Sequence, residues 1–363
     1  MRVDQSELLP VVCGITRFGL ILVCLFSAAR VLAQADEARS VKIPAAKFTT
    51  FAAPDAGTLG SQGTFGMAIN TAGEVTGSYQ DSSNAWHAFL RTSAGTITEF
   101  DAPDGSANGT YPVAINTTGE IAGYYIDSSY SDQAFLRTSD GTITEFNVQG
   151  AWTSVGGIND AGEIAGYYAV SGIEATYGFV RSSDGTITSF EEQYVTSPFG
   201  INTAGEVGGY YLDSSLKYHG FVRTSSGQLT TFTLPGGPGM AHYVGGINTG
   251  GELTGYYFDG NAYHGFLRTS AGKITYFEAP GAGKGYFQGT VALGINTAGT
   301  ITGYYIDSKN IVHGFVRSSA GTITDFDVPG AAQTFPSGIN KSGQIVGFYL
   351  DPTSAYRGFV RTP

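Results

Sequence analysis

The sequence predicts an all-β chain: a seven-bladed β-propeller with four antiparallel strands per blade. Three observations carry that prediction. Ile-Asn pairs recur at 69–70, 115–116, 158–159, 201–202, 247–248, 295–296 and 339–340, in steps of 43 to 48 residues. Phe89, Phe135, Phe179, Phe221, Phe266, Phe315 and Phe359 recur in phase with them, each followed two places on by Arg. The last unit stops at Phe359–Pro363, after its third strand-like piece, while a spare fourth piece, Phe48–Pro54, precedes the first unit. An open solenoid has no use for that offset. A ring does, because the N-terminal strand completes the last blade and removes both free edges.

Each unit divides into four short pieces, the blade signature for a repeat of about 45 residues. The first piece ends in Gly-Ile-Asn, or Ala-Ile-Asn in two copies, and a turn such as Asn70–Gly73 follows. The second is Glu120–Asp127 (EIAGYYID) or a relative. A turn beginning Asp-Ser-Ser leads to the third, such as His219–Ser225 (HGFVRTS), and Ser-Ala-Gly or Ser-Asp-Gly leads to the fourth, such as Thr96–Phe100. Tyr, Phe, Ile, Val and Thr dominate the pieces, and Gly, Asn and Asp the turns, as strands and tight turns require. Neighbouring apolar residues such as Tyr124-Tyr125-Ile126 suit strands buried on both faces. Antiparallel pairing sets Phe89 beside Gly77 of the preceding strand, so the ring covers bare backbone.

The N-terminus is of another kind. Phe18–Ala29 is an apolar run preceded by Arg2 and Arg17, and Ala33-Gln34-Ala35 is a small-x-small site. This reads as a signal peptide over 1–35, followed by a short linker, 36–47, and the propeller, 48–363. The run is too short for a permanent span, which needs about 20 apolar residues. Both cysteines, Cys13 and Cys24, lie in the leader, so the mature chain offers no disulfide, thiolate metal ligand or Cys nucleophile. Cleavage would move the net charge from −11 to −12, because the leader carries three basic and two acidic residues. Such a surface repels phosphate backbones and excludes nucleic acid as the expected partner.

His87-Ala88-Phe89 and the His-Gly-Phe of three other blades, with Gly-Ile-Asn-x-x-Gly-Glu upstream, resemble the bacterial extracellular HAF-repeat family. The likeness covers 48–363 and departs where Gln133, Tyr177 and Arg357 replace His. The resemblance implies an exported repeat protein and supplies no settled activity.

No phosphate loop, Ser-centred elbow or His-Glu metal motif is present in the sequence. His87, His219, His264 and His313 occupy one slot in separate blades, so they are expected as structural histidines and not as ligands converging on one ion. No cofactor or metal is expected. The seven Arg residues are expected to form surface ion pairs with Glu74, Glu120, Glu163, Glu206 and Glu252. The turns after strands one and three barely vary, whereas the loops after strands two and four vary widely. In an antiparallel blade these variable loops share one face, where binding usually resides. That face gathers Trp86, Tyr111, Trp152, Tyr194, Tyr243, Tyr286 and Phe287 as aromatic candidates. Blade three departs most from the template, placing Glu174 and Glu191 or Glu192 on the same face, with His242 two blades on. The expected function is a monomeric, exported, non-enzymatic propeller that presents this face to a glycan or protein. One alternative is a carbohydrate-active hydrolase or lyase using the blade-three carboxylates. Another is a structural cell-surface or matrix protein.

Overall fold

A computed structural model of the chain describes residues 46–105, 108–150, 152–170, 175–192, 194–236 and 242–363. The expected signal peptide and almost all of the expected linker lie outside the described residues. The fold is all-β, repeated and propeller-like, with twenty-eight strands, β1 to β28, among the described residues. Among the described residues no helix is long and apolar enough to cross a membrane.

The first unit consists of β2 (Gly63–Ile69), β3 (Val75–Gln80), β4 (Trp86–Arg91) and β5 (Ile97–Phe100), paired antiparallel in that order. The same arrangement repeats through β25 (Ile323–Phe326). The last unit is β26 (Gln333–Ile339), β27 (Ile345–Leu350) and β28 (Tyr356–Thr362). β1 (Lys47–Phe51) pairs antiparallel with β28, Thr50 standing opposite Phe359.

Two features go beyond the strand reading of the sequence. The first strand of every unit shifts register against the second, as between Gly66 and Ala68 or Pro198 and Gly200. Such a bulge bends the strand and re-aims one side chain. Short parallel bridges also join neighbouring units, between β28 and β2, between β12 (Thr176–Arg181) and β14 (Val195–Ile201), and between β20 (Ala262–Arg268) and β22 (Gln288–Ile295). Sheets therefore run across units where the sequence alone suggests separate blades. Glycine permits two of these bridges. Gly63 and Gly289 have φ of +133° and +117°, and a Cβ there would lie 2.0 and 2.1 Å from the carbonyl oxygens of Tyr356 and Tyr263.

Inside each unit a phenylalanine of the third strand is wholly buried, from Phe89 to Phe359. Phe89 stands directly opposite Gly77, and Phe135 opposite Gly123. A Cβ on Gly123 would come 2.8 Å from the Phe135 ring, so the ring fills the space that a side chain would need.

The arginines that follow these phenylalanines do not make the expected ion pairs. Each guanidinium lies over a phenyl ring of the neighbouring unit's fourth strand, with Cζ 4.8–5.1 Å from the ring centre. Arg137 covers Phe100, Arg181 covers Phe146, and the series runs on to Arg361 over Phe326. Arg91 covers Phe51, which belongs to β1. The glutamates are engaged elsewhere: Glu74 Oε2 accepts a hydrogen bond from Asn70 Nδ2 at 2.7 Å, and the pattern repeats in the next units. Among the described residues the one arginine–carboxylate pair is Arg357 with Asp351, at 2.6 Å. Six of the seven stacked arginines are buried, and burial pulls their pKa values down. A desolvated cation–π contact is stronger than an exposed one, about 2 kcal/mol or more.

Phe51→Ala is expected to lower the unfolding free energy by about 2–4 kcal/mol, because it removes apolar burial and the Arg91 contact together. Urea denaturation followed by tryptophan fluorescence measures this. An unchanged midpoint would mean that β1 contributes little to the fold.

Candidate functional site

The strands are antiparallel, so the two kinds of connection collect at opposite ends of each unit. At the end with the nearly uniform turns, asparagine does the organising. Asn70 Oδ1 accepts the backbone N–H of Glu74 at 2.9 Å, and its Nδ2 donates to Glu74 Oε2 and to the carbonyl of Asn116 in the next unit, at 2.7 and 3.1 Å. Asn116 donates to Asn159 O, Asn159 to Asn202 O, Asn202 to Asn248 O, Asn248 to Asn296 O and Asn296 to Asn340 O. Asn340 Nδ2 donates to Asn70 O at 2.9 Å.

A cavity of about 760 Å³ is lined by the Ile-Asn-x triples of all seven units. Its volume is in the range of ligand pockets. Both Nδ2 hydrogens of Asn70 are already used, however, so the carboxamides act as scaffold. Deeper lies a space of about 240 Å³, lined by bulged residues such as Met67, Phe199 and Leu293 together with glycines.

At the other end, the histidine slot ties two loops together. Asp81 opens the turn after β3, its Oδ1 accepting the N–H groups of Ser83 and Ala85 at 2.8 Å each. Its Oδ2 faces His87 Nε2 at 3.7 Å, while His87 Nδ1 meets Asp101 Oδ2, just past β5, at 2.8 Å. The ring stacks on Tyr79. His219 bridges Asp213 and Thr233 in the same way, His264 bridges Asp259 and Glu278, and His313 bridges Asp307 and Asp327. Where His is replaced, Gln133 and Arg357 still reach Asp127 and Asp351. Burial lowers the pKa values of His264 and His313, but hydrogen bonds and charges from their acidic partners outweigh it, and both are raised. Each histidine thus clamps its own unit. Among the described residues no group of three or more His, Cys, Asp or Glu is placed to hold a metal ion.

The residues singled out from the sequence fall into different environments. Trp86 is half-buried against Phe65 and Tyr111, at 5.2 and 6.0 Å between ring centres. Trp152 packs on Tyr167. Tyr243 lies against Phe199 and Tyr256, and burial pushes its hydroxyl up to about 12. Tyr194 is half-buried, its N–H donating to Leu212 O. These four rings cap the ends of the strands. Glu191 is exposed and Glu192 half-buried just past β13 (Ile187–Phe190), the Glu192 N–H donating to Thr196 Oγ1. Glu174 lies outside the described residues. His242 is buried at the start of β18 (His242–Ile247), its Nε2 at 3.2 Å from Pro235 O and its ring beside Tyr218 and Tyr257. His242 is thus buried and Glu191 exposed.

Tyr286 and Phe287 are exposed, at 64% and 42%. Leu59, Tyr130 and Leu216, which the sequence reading passed over, are exposed at 74%, 71% and 43%. These five of the six large exposed apolar residues among those described lie in the loops after strands two and four; the sixth, Tyr276, lies on β21 (Ile274–Phe277). The signal for two of them was available. Tyr130 and Leu216 occupy the fourth position of the Asp-initiated turn, where other units carry Asn84, Asn310 and Ser354.

No family model and no curated protein matches the chain. Among solved structures it is similar to a catalytically inactive virginiamycin B lyase from Staphylococcus aureus with quinupristin, with a TM-score of 0.57 and 14% identity over 88% of this chain and 100% of that one. A streptogramin B lyase gives 0.55, at 14% identity over 86% and 97%. A puromycin hydrolase gives 0.52, at 14% identity over 84% of this chain and 51% of that one. At such identity the likeness is one of fold: all-β, repeated and propeller-like.

Burial brings the pKa of His242 down to about 4. The folded chain resists its protonation more than the unfolded chain does, so this contribution to stability is whole above about pH 6.5 and lost as pH falls. The raised pKa values of His264 and His313 act oppositely: their contribution is whole below about pH 6.5 and lost as pH rises through the folded-state values. His242→Gln is expected to shrink the drop in urea midpoint between about pH 7 and about pH 4.5. An identical drop in both proteins would place the acid sensitivity elsewhere.

Proposed function

We propose that the chain is an exported seven-bladed β-propeller of the HAF-repeat type, closed by β1, and that its variable-loop face binds a glycan without catalysis. The β1–β28 pairing, the Arg91–Phe51 contact and the return of the asparagine series to Asn70 support the closed ring. The apolar leader supports export.

The observation that carries the binding function is the placement of the exposed apolar side chains. Five of the six large apolar side chains that stay in water among the described residues lie in the variable loops, the part of a repeated scaffold where binding usually resides. Leu59, Tyr130, Leu216 and the Tyr286–Phe287 pair belong to the loops of different units. Small separate contacts on a repeated scaffold suit a repeating ligand, a polysaccharide, better than one continuous protein interface, which needs about 1,000 Å² or more. The caps formed by Trp86, Trp152 and Tyr243 hold the scaffold beneath.

The test is affinity electrophoresis of residues 36–363 in gels containing single polysaccharides, neutral and acidic. Retardation by at least one is expected, without release of reducing ends. The Leu59→Ser/Tyr130→Ser/Leu216→Ser variant should be retarded less while melting at the same temperature. Free migration of the parent protein through every gel would overturn the glycan reading, and release of reducing ends would replace it with the enzyme.

A further inference from the structure

We infer that the loop between β21 and β22 is a built stacking subsite for one pyranose ring, formed by Tyr286 and Phe287. This rests on the glycan reading above and names the place and chemistry of one contact.

The two rings lie 4.1 Å apart between centres, tilted by 47°. Phe287 is braced by Phe258, stacked at 5.2 Å and 25°, and by Tyr263 at 6.1 Å, and Tyr286 meets the edge of Phe258 at 5.8 Å. One flank of the pair is thus supported by protein while much of its surface stays in water.

The backbone holds this arrangement at a cost. Phe287 has φ of +59°, in the left-handed region that bulky side chains disfavour. Asn84, Tyr130, Leu216, Asn310 and Ser354 also have positive φ, but all five sit at the fourth position of the Asp-initiated turn, which calls for it; Gln149, the other such residue among those described, is an unbranched amide side chain and not an aromatic one. Phe287 is in no such turn. Strain of this kind persists only where the surroundings over-determine it, and here they do. Phe287 N–H donates to Asn261 O at 3.0 Å, and Asn261 Nδ2 donates to Lys284 O at 2.6 Å. Gly283 N–H donates to Ile306 O, Gly285 N–H to Gln288 Oε1, and Gln288 Nε2 to Asn310 Oδ1, each at 2.9 Å. The loop is therefore fixed before any ligand arrives, which lowers the ordering cost of binding.

The size and polarity of the platform select the occupant. An aromatic side chain carries about 150–250 Å², so the exposed parts of this pair amount to roughly 200 Å². That is far below a protein interface and close to the face of one sugar ring. A flat ring offers its π face to the C–H face of a pyranose. Lys284, two residues before Tyr286 on the same loop, is exposed and supplies a cation for hydroxyl or carboxylate oxygens.

The experiment is isothermal titration of residues 36–363 with cellohexaose and with hexagalacturonate, for the parent protein, Tyr286→Ala, Phe287→Gly and Lys284→Gln. The expected result is about tenfold weaker binding for Tyr286→Ala with an unchanged melting temperature, since its ring is largely in water. Phe287→Gly, which relieves the strained backbone, should bind more weakly than the parent protein. Lys284→Gln should weaken binding of hexagalacturonate, whose carboxylates pair with the ammonium, and leave that of neutral cellohexaose unchanged. Parent-like binding in both aromatic variants, with binding lost in the Leu59/Tyr130/Leu216 variant, would overturn the platform and leave the glycan reading standing. Absence of binding by the parent protein to both oligosaccharides and to every polysaccharide would overturn both.

Discussion

A guanidinium held over a phenyl ring of the neighbouring unit is the contact on which this fold depends. A four-stranded unit of about 45 residues cannot bury its faces alone and needs a neighbour on each side. The Arg–Phe pairs supply that junction in all seven units, with Phe51 of β1 serving Arg91 as Phe100 serves Arg137. Several of these guanidiniums lose most of their water, and their Nε atoms have no hydrogen-bond partner. The ring face, and the carbonyl that accepts from Nη1 one residue on, offset that loss. An isolated arginine of this kind would be costly. Repeated at every junction, it fixes the spacing of the units.

The two ends of the units use polar chemistry differently. At the nearly uniform turns the asparagine carboxamides satisfy the turn backbone and reach the next unit, which spends their donors on architecture. At the variable end the histidines clamp the turn after the second strand to the end of the fourth. That clamp lets the connecting loops differ without loosening the strands beneath them. Loops of unequal length and polarity can then be carried on a uniform scaffold, and Tyr286 and Phe287 stand on one of them.

Much of the scaffold was legible. The Ile-Asn and Phe-x-Arg series located the strands, and the pairing of Phe89 with Gly77 follows from antiparallel geometry alone. The site was less legible. Trp86, Trp152, Tyr194 and Tyr243 are candidates on composition, yet they cap strands, because aromatic residues near a strand end serve packing and recognition equally well. His242 shares its residue type with the clamp histidines but is buried at the start of the first strand of its unit. The Arg–Glu pairing failed for a related reason. Proximity along two strands suggested it, but the arginine turns into the junction between units while Glu74 turns back to Asn70.

The sequence by itself determined the repeat, the four strands of each unit, the turns and the end of the units where variation collects. Those features are local, set by strand propensity, glycine and asparagine turn chemistry, and a side-chain period of two. Tertiary structure decided which side chains remain in water, which polar atoms are already engaged, and where a bulge or a parallel bridge redirects a strand. Those outcomes depend on the neighbouring unit. Burial and hydrogen-bond satisfaction are properties of a packed surface, and no single strand carries them.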